Sequence, residues 1–64
     1  MTQKELLYLK DACEHEMHLI EICNETINML ESDDLVSFFE KEVKKHEKTK
    51  KLLLDEMEEC LDEW

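Results

Sequence analysis

From Leu6 to Leu30 the chain repeats its apolar residues at alternating intervals of three and four, with no break in the spacing. The positions are Leu6, Leu9, Cys13, Glu16, Ile20, Cys23, Ile27 and Leu30, and seven of these eight are apolar. Such a spacing keeps one stripe of side chains on one side of an α-helix, whereas a strand alternates every second residue. Thr2 followed by Glu5 reads as a capping box that starts this helix. Ala12 and Leu19 widen the stripe, and Tyr8, Ile22 and Met29, with His15 among them, widen it further. A face this broad suits a helix with neighbours on two sides.

Ser32, Asp33 and Asp34 interrupt the repeat. Their short polar side chains accept hydrogen bonds from free backbone N–H groups, so they read as turn and N-cap residues. Beyond them Phe39, His46, Leu53 and Cys60 recur every seven residues. Val36, Val43, Met57 and Trp64 flank that row on one side, and Leu35, Glu42, Thr49 and Glu56 on the other. The pattern predicts one helix over about residues 3–31, a turn at about 32–34 and a second helix over about 35–62. All of residues 1–64 then form a single helical-hairpin domain. The chain has no Gly and no Pro, which argues against a β fold built on tight turns.

Charge tests the direction of the second helix. Lys41, Lys44, Lys45, Lys48, Lys50 and Lys51 are six of the eight lysines. A turn centred on Asp33 sets residues 41–51 against residues 15–25, which hold Glu16, Glu21 and Glu25 and no lysine. The acidic tail, from Asp55 to Glu63, then faces Lys4 and Lys10. Opposite charges meet only if the helices run antiparallel. Each exposed pair is weak, but the pattern selects register and direction.

A chain of 64 residues buries only about 60% of its unfolded surface, which leaves a marginal core. Two hairpins closing on each other solve that problem. The expected fold class is therefore all-α: an antiparallel two-helix hairpin that dimerises into a ferritin-like four-helix bundle, a homodimer of C2 symmetry. A net charge of -10 is the wrong sign for phosphate-backbone binding, so nucleic acid is not expected as a partner. No apolar run approaches the roughly 20 residues of a membrane span, and no signal peptide is recognisable, so no membrane partner and a cytoplasmic site of synthesis are expected. Cys13, Cys23 and Cys60 lack C-x-x-C spacing and read as reduced, buried thiols, with cross-linking between chains as the sharper alternative.

Three polar residues fall on the inner faces: Glu16 in the first helix, and Glu42 and His46 one turn apart in the second. Buried carboxylates are normally paired, protonated or metal-bound. A dimer doubles this set to four carboxylates and two imidazoles, the donors that di-metal helical bundles present to iron, manganese or zinc. Against this, those bundles use Glu-x-x-His, whereas Glu42 and His46 are four apart, and Glu16 falls opposite about residue 50. The plainer alternative has Lys45, Lys50 or Thr49 satisfying the carboxylates, and no cofactor. His15 and His18 read as edge and surface residues, and Met17, Met29 and Met57 as gap-fillers. No Gly-rich phosphate loop and no nucleophile triad is present, so no enzymatic activity is expected.

The stretch Lys4-Glu5-Leu6-Leu7-Tyr8-Leu9-Lys10-Asp11, followed by His15-Glu16, resembles the start of small spore coat proteins of the coat F type, from endospore-forming Firmicutes. Asp33-Asp34-Leu35 and Lys45-His46 match that family's acidic turn and second-helix histidine more loosely. This chain has Met17 where relatives often carry Gln, and Thr49 where they often carry a second histidine. The resemblance implies a ferritin-like helical fold and a structural, self-associating role in sporulation, with assembly into the spore coat beside other coat proteins.

Overall fold

A computed structural model describes the backbone of residues 1–62 and the side chains of residues 1–59. Helix α1 runs Gln3–Met29 and helix α2 runs Asp33–Asp62. They lie antiparallel along each other as a hairpin, in a Cα envelope of 49 × 14 × 11 Å. No strand occurs among the described residues.

Both helix starts are closed by side chains. At α1 the Glu5 N–H donates to Thr2 Oγ1 at 3.1 Å, and the Thr2 N–H donates back to Glu5 Oε1 at 3.0 Å. This reciprocal pair satisfies two N–H groups that have no partner inside the helix. The same bonds favour the charged carboxylate. Chiefly through the Thr2 backbone N–H, and then its hydroxyl, they hold Glu5 below its ordinary pKa of 4.5. At α2 the Leu35 N–H donates to Ser32 Oγ at 3.4 Å and the Val36 N–H to the Ser32 carbonyl at 3.0 Å. Asp33 and Asp34 lie in the first turn of α2, where negative charge meets the positive end of the helix dipole.

The link is Leu30 to Ser32, two residues earlier than the expected turn at 32–34. Leu30 is extended, with φ -90° and ψ 140°, and its N–H donates to the Ile27 carbonyl at 3.3 Å. Among the described residues none has positive φ, so the reversal needs no glycine. Ser32 is the cap, which frees Asp33 and Asp34 to begin the helix.

All eight α1 seam positions are covered: Cys13 and Cys23 are buried, and Leu6, Leu9, Glu16, Ile20, Ile27 and Leu30 are half-buried. The α2 seam is Val36, Phe39, Val43, His46, Lys50, Leu53 and Met57, again at intervals of three and four. Lys50 thus stands in the row of Val36, Val43 and Met57. A lysine can occupy such a position by laying its aliphatic stem along apolar neighbours and keeping its charged head in water. Leu35, Thr49 and Glu56, expected to flank the inner row, are exposed, and of that flank only Glu42 is half-buried. The expected inner placement of Cys60 falls beyond the described side chains, and that of Trp64 beyond the described residues.

The single hairpin leaves its core thin. Cys13 at 5% and Cys23 at 8% exposure are the only buried apolar residues among the described side chains. The radius of gyration is 14.8 Å, against about 11 Å for a compact 64-residue domain. The accessible surface is 5263 Å², about 900 Å² more than a compact monomer of 7.8 kDa exposes.

Candidate functional site

Halfway along the hairpin the seam turns polar. Glu16 Oε2 lies 2.6 Å from His46 Nδ1, with the two side chains 17% and 24% exposed. A contact this short between a ring N–H and a carboxylate is a charge-assisted hydrogen bond, formed where little water competes. It also sets the register: residue i faces about residue 62 minus i, centred on Glu31. The expected register, 66 minus i, placed Glu16 opposite about residue 50 and a turn away from His46. That placement is corrected here, because the chain leaves α1 at Leu30 and the centre of the turn moves back by two residues.

The shift keeps the charge argument. Residues 41–51 now face about residues 11–21, which hold Asp11, Glu14, Glu16 and Glu21 and no lysine. Yet among the described residues the only ion pairs within 4.0 Å are Glu16–His46 and Glu42–Lys45. The complementarity therefore acts as a diffuse field, in keeping with the small worth of exposed pairs. At the other end the Lys4 ammonium sits 6.0 Å from the Tyr8 ring centroid, one turn further along α1.

The structure brings Glu16 and His46 together and holds Glu42 apart. Glu42 Oε1 is 3.3 Å from Lys45 Nζ, three residues along the same helix. Thr49 Oγ1 donates to the Lys45 carbonyl at 3.1 Å and leaves the carboxylates alone. Among the described residues no group of three or more His, Cys, Asp or Glu side chains is gathered to hold a metal ion within one chain. His15 and His18 are exposed. Cys13 and Cys23 are free thiols buried in the seam.

The second notable feature is a face. In two antiparallel helices, side chains that flank the seam on equivalent sides end up on the same side of the hairpin. Ten large apolar residues are exposed among the described side chains, and seven lie on one flank. From α1 these are Tyr8, Ile22 and Met29, with Met1 just before the helix, and from α2 Leu35, Phe38 and Leu52. Leu7, Met17 and Leu54 are the three on the opposite flank, scattered among charged residues. A groove of about 300 Å³ opens on the apolar flank, lined by Met1, Glu5, Tyr8, Leu9 and Glu56. Glu5 and Glu56 are equivalent flanking positions of the two helices, so the groove itself places both helices' flanks on one surface. Phe38 stands on this surface braced edge-to-face by Phe39 of the seam, with centroids 5.3 Å apart and planes at 86°.

The wide apolar flank was visible as the row Tyr8, Ile22 and Met29. The α2 half of it was missed, because Phe38 and Leu52 are separated by Lys45 and show no run. Compared with models of protein families, with curated proteins and with solved structures, the chain matches none.

Proposed function

We propose that this chain is a structural, self-associating protein of the spore coat or of sporulating cells, working as a homodimer of hairpins closed into a ferritin-like four-helix bundle. The observation that carries self-association is the one-sided distribution of exposed apolar residues. A monomer rarely gathers most of its exposed apolar residues on one side. The surplus surface of about 900 Å² is close to the roughly 800 Å² per partner that a standard interface covers. The sporulation context rests on the resemblance of residues 4–16 to coat F proteins, with the hairpin in keeping with it. No described helix is long and apolar enough to cross a membrane. The proposed role involves no catalysis, and the proposed life of the chain begins in the cytoplasm and ends in the coat layer.

The Glu16–His46 contact favours a second reading, a metal-binding bundle. A carboxylate that fixes one ring nitrogen of a histidine leaves the other as a ligand atom, an arrangement common behind metal-bound imidazoles. On that reading Glu16 orients His46, and Glu42 of both chains with His46 of both chains would supply the donors to iron, manganese or zinc. Native mass spectrometry on protein purified without chelator separates the two. A dimer at twice the chain mass supports the structural role. Bound metal, with a Tm that falls in chelator, supports the second reading. A monomer with no added mass counts against both.

A further inference from the structure

The apolar flank has two unlike halves. Toward the turn it carries Ile22, Met29, Leu35 and Phe38, and its two charges, Glu42 and Lys45, pair with each other near the Glu16–His46 level. Toward the open end it carries Tyr8 and Leu52, the groove, and the carboxylates Glu5, Glu56 and Glu59. Glu16–His46 lies between the halves, and distances from it along the helices can be counted at 1.5 Å per residue. Ile22 and Leu52 each stand six residues from that level, and Tyr8 and Phe38 each stand eight, on opposite sides of it. Leu35 is eleven residues away on the turn side, and Glu5 is eleven away on the open side.

We infer that a second copy of this chain docks on this flank end-reversed, its turn end seated over the first copy's open end, about a twofold axis through the Glu16–His46 level. The inference rests on the proposed self-association and adds its face and direction. A twofold perpendicular to the helices sets α1 against α1 and α2 against α2, both antiparallel. Ile22 of each hairpin then meets Tyr8 of the other, and Phe38 meets Leu52. Met29, the most exposed of these side chains at 81%, and Leu35 reach the level of the groove and fill it. A closed dimer needs this kind of self-complementary surface.

The opposed arrangement, with the twofold parallel to the helices, is worse on two counts. It sets Glu5, Glu56 and Glu59 against their own copies at one end, and like charges there cost affinity. It also leaves the groove facing a groove. The reversed arrangement keeps the carboxylates of the two copies at opposite ends and brings the two Glu16–His46 pairs together at the centre, where their polar edges fix the axial register.

Two substitutions at exposed positions test direction. Met29→Lys is expected to place an ammonium beside Glu5 of the other copy, and Leu35→Lys beside Glu56 of the other copy. Each variant is treated with a carbodiimide, which joins a lysine amine to a carboxylate as an amide with loss of water, and cross-linked peptides are identified by mass spectrometry. Within one chain, position 35 and Glu56 lie about 32 Å apart along one helix, and position 29 and Glu5 about 36 Å, so either link is between chains. The expected result is a dimer for both variants, with links from 29 to Glu5 and from 35 to Glu56. A wild-type dimer whose variants lack both links, or fall to monomers while remaining helical, overturns the reversed arrangement and leaves self-association standing. A wild-type chain that is monomeric at 100 µM, about a hundredfold above a micromolar Kd, overturns self-association itself.

Discussion

The two flanks of the inter-helix seam share one backbone and one set of neighbours, yet they meet water in opposite ways. One flank exposes Met1, Tyr8, Ile22, Met29, Leu35, Phe38 and Leu52 around a groove. The other exposes Leu7, Met17 and Leu54 singly, between Lys10, Glu14, Glu21, Lys44, Glu47 and Lys51. Isolated apolar residues on a charged surface are ordinary. A set gathered on one side is what the proposed self-association would cover. The heptad seam builds the hairpin, and the flanking positions set how each side of it meets water.

The comparison breaks most severely at the seam that both flanks share. Ile20→Asp puts a carboxylate between the helices with no partner, a cost of several kcal/mol. A chain of this length has a total stability of about 0.05–0.15 kcal/mol per residue, so the variant is expected to lose its helical circular dichroism at 25 °C. The flanks themselves are contrasted by a matched pair. Phe38→Glu is expected to weaken dimerisation at least about 100-fold, because it charges a well-braced aromatic at the proposed interface. Met17→Glu, at 53% exposure on the other flank, is expected to change it less than about tenfold. Sedimentation equilibrium reads both. Equal effects would erase the distinction between the flanks.

A smaller effect is expected at the polar waist. Glu16→Ala leaves the His46 Nδ1–H without its acceptor in a half-covered site, at a cost of about 1–3 kcal/mol in urea unfolding. Glu16→Gln keeps an acceptor and is expected to recover most of that loss. If Glu16→Ala is neutral, the pair contributes nothing to register. The smallest expected effect is at the α1 cap. Thr2→Ala removes the hydroxyl acceptor and is expected to cost about 1 kcal/mol. Its pH signature has a definite sign. Glu5 is held below its ordinary value of 4.5 in the folded chain, so its contribution is present above that value and fades as pH falls through the lowered one. Protection factors for hydrogen exchange at the first turn of α1, taken against the intrinsic rate at each pH, should therefore fall in acid for the wild type, and be low already in Glu5→Gln.

Much of the hairpin was legible in the spacing alone. Every α1 position assigned to the seam is covered, and Thr2 with Glu5 forms the capping box that their spacing implied. The register was not legible. It depends on whether the chain reverses at Leu30 or at Asp33, and Ser32, Asp33 and Asp34 are all good caps. A slip of two residues there moved the partner of Glu16 from the Lys50 level to His46. Lys50 was overlooked on the inner face because its charge hid its place in the row of Val36, Val43 and Met57. Of the candidate site, the sequence named all three residues but could not tell that Glu42 turns to Lys45 while Glu16 crosses to His46. Side-chain pairing of this kind depends on a fraction of a helical turn, which a seven-residue pattern does not resolve.

The central claim is that the exposed flank is half of an interface, and that the hairpin owes part of its stability to a second copy. Thermal unfolding followed by circular dichroism, repeated over a hundredfold range of protein concentration, tests it most directly. A folded state held by association must melt at higher temperature as concentration rises. The Tm should climb steadily across the series. A Tm independent of concentration, with a sharp two-state transition at the dilute end, would show a hairpin stable alone and would contradict it.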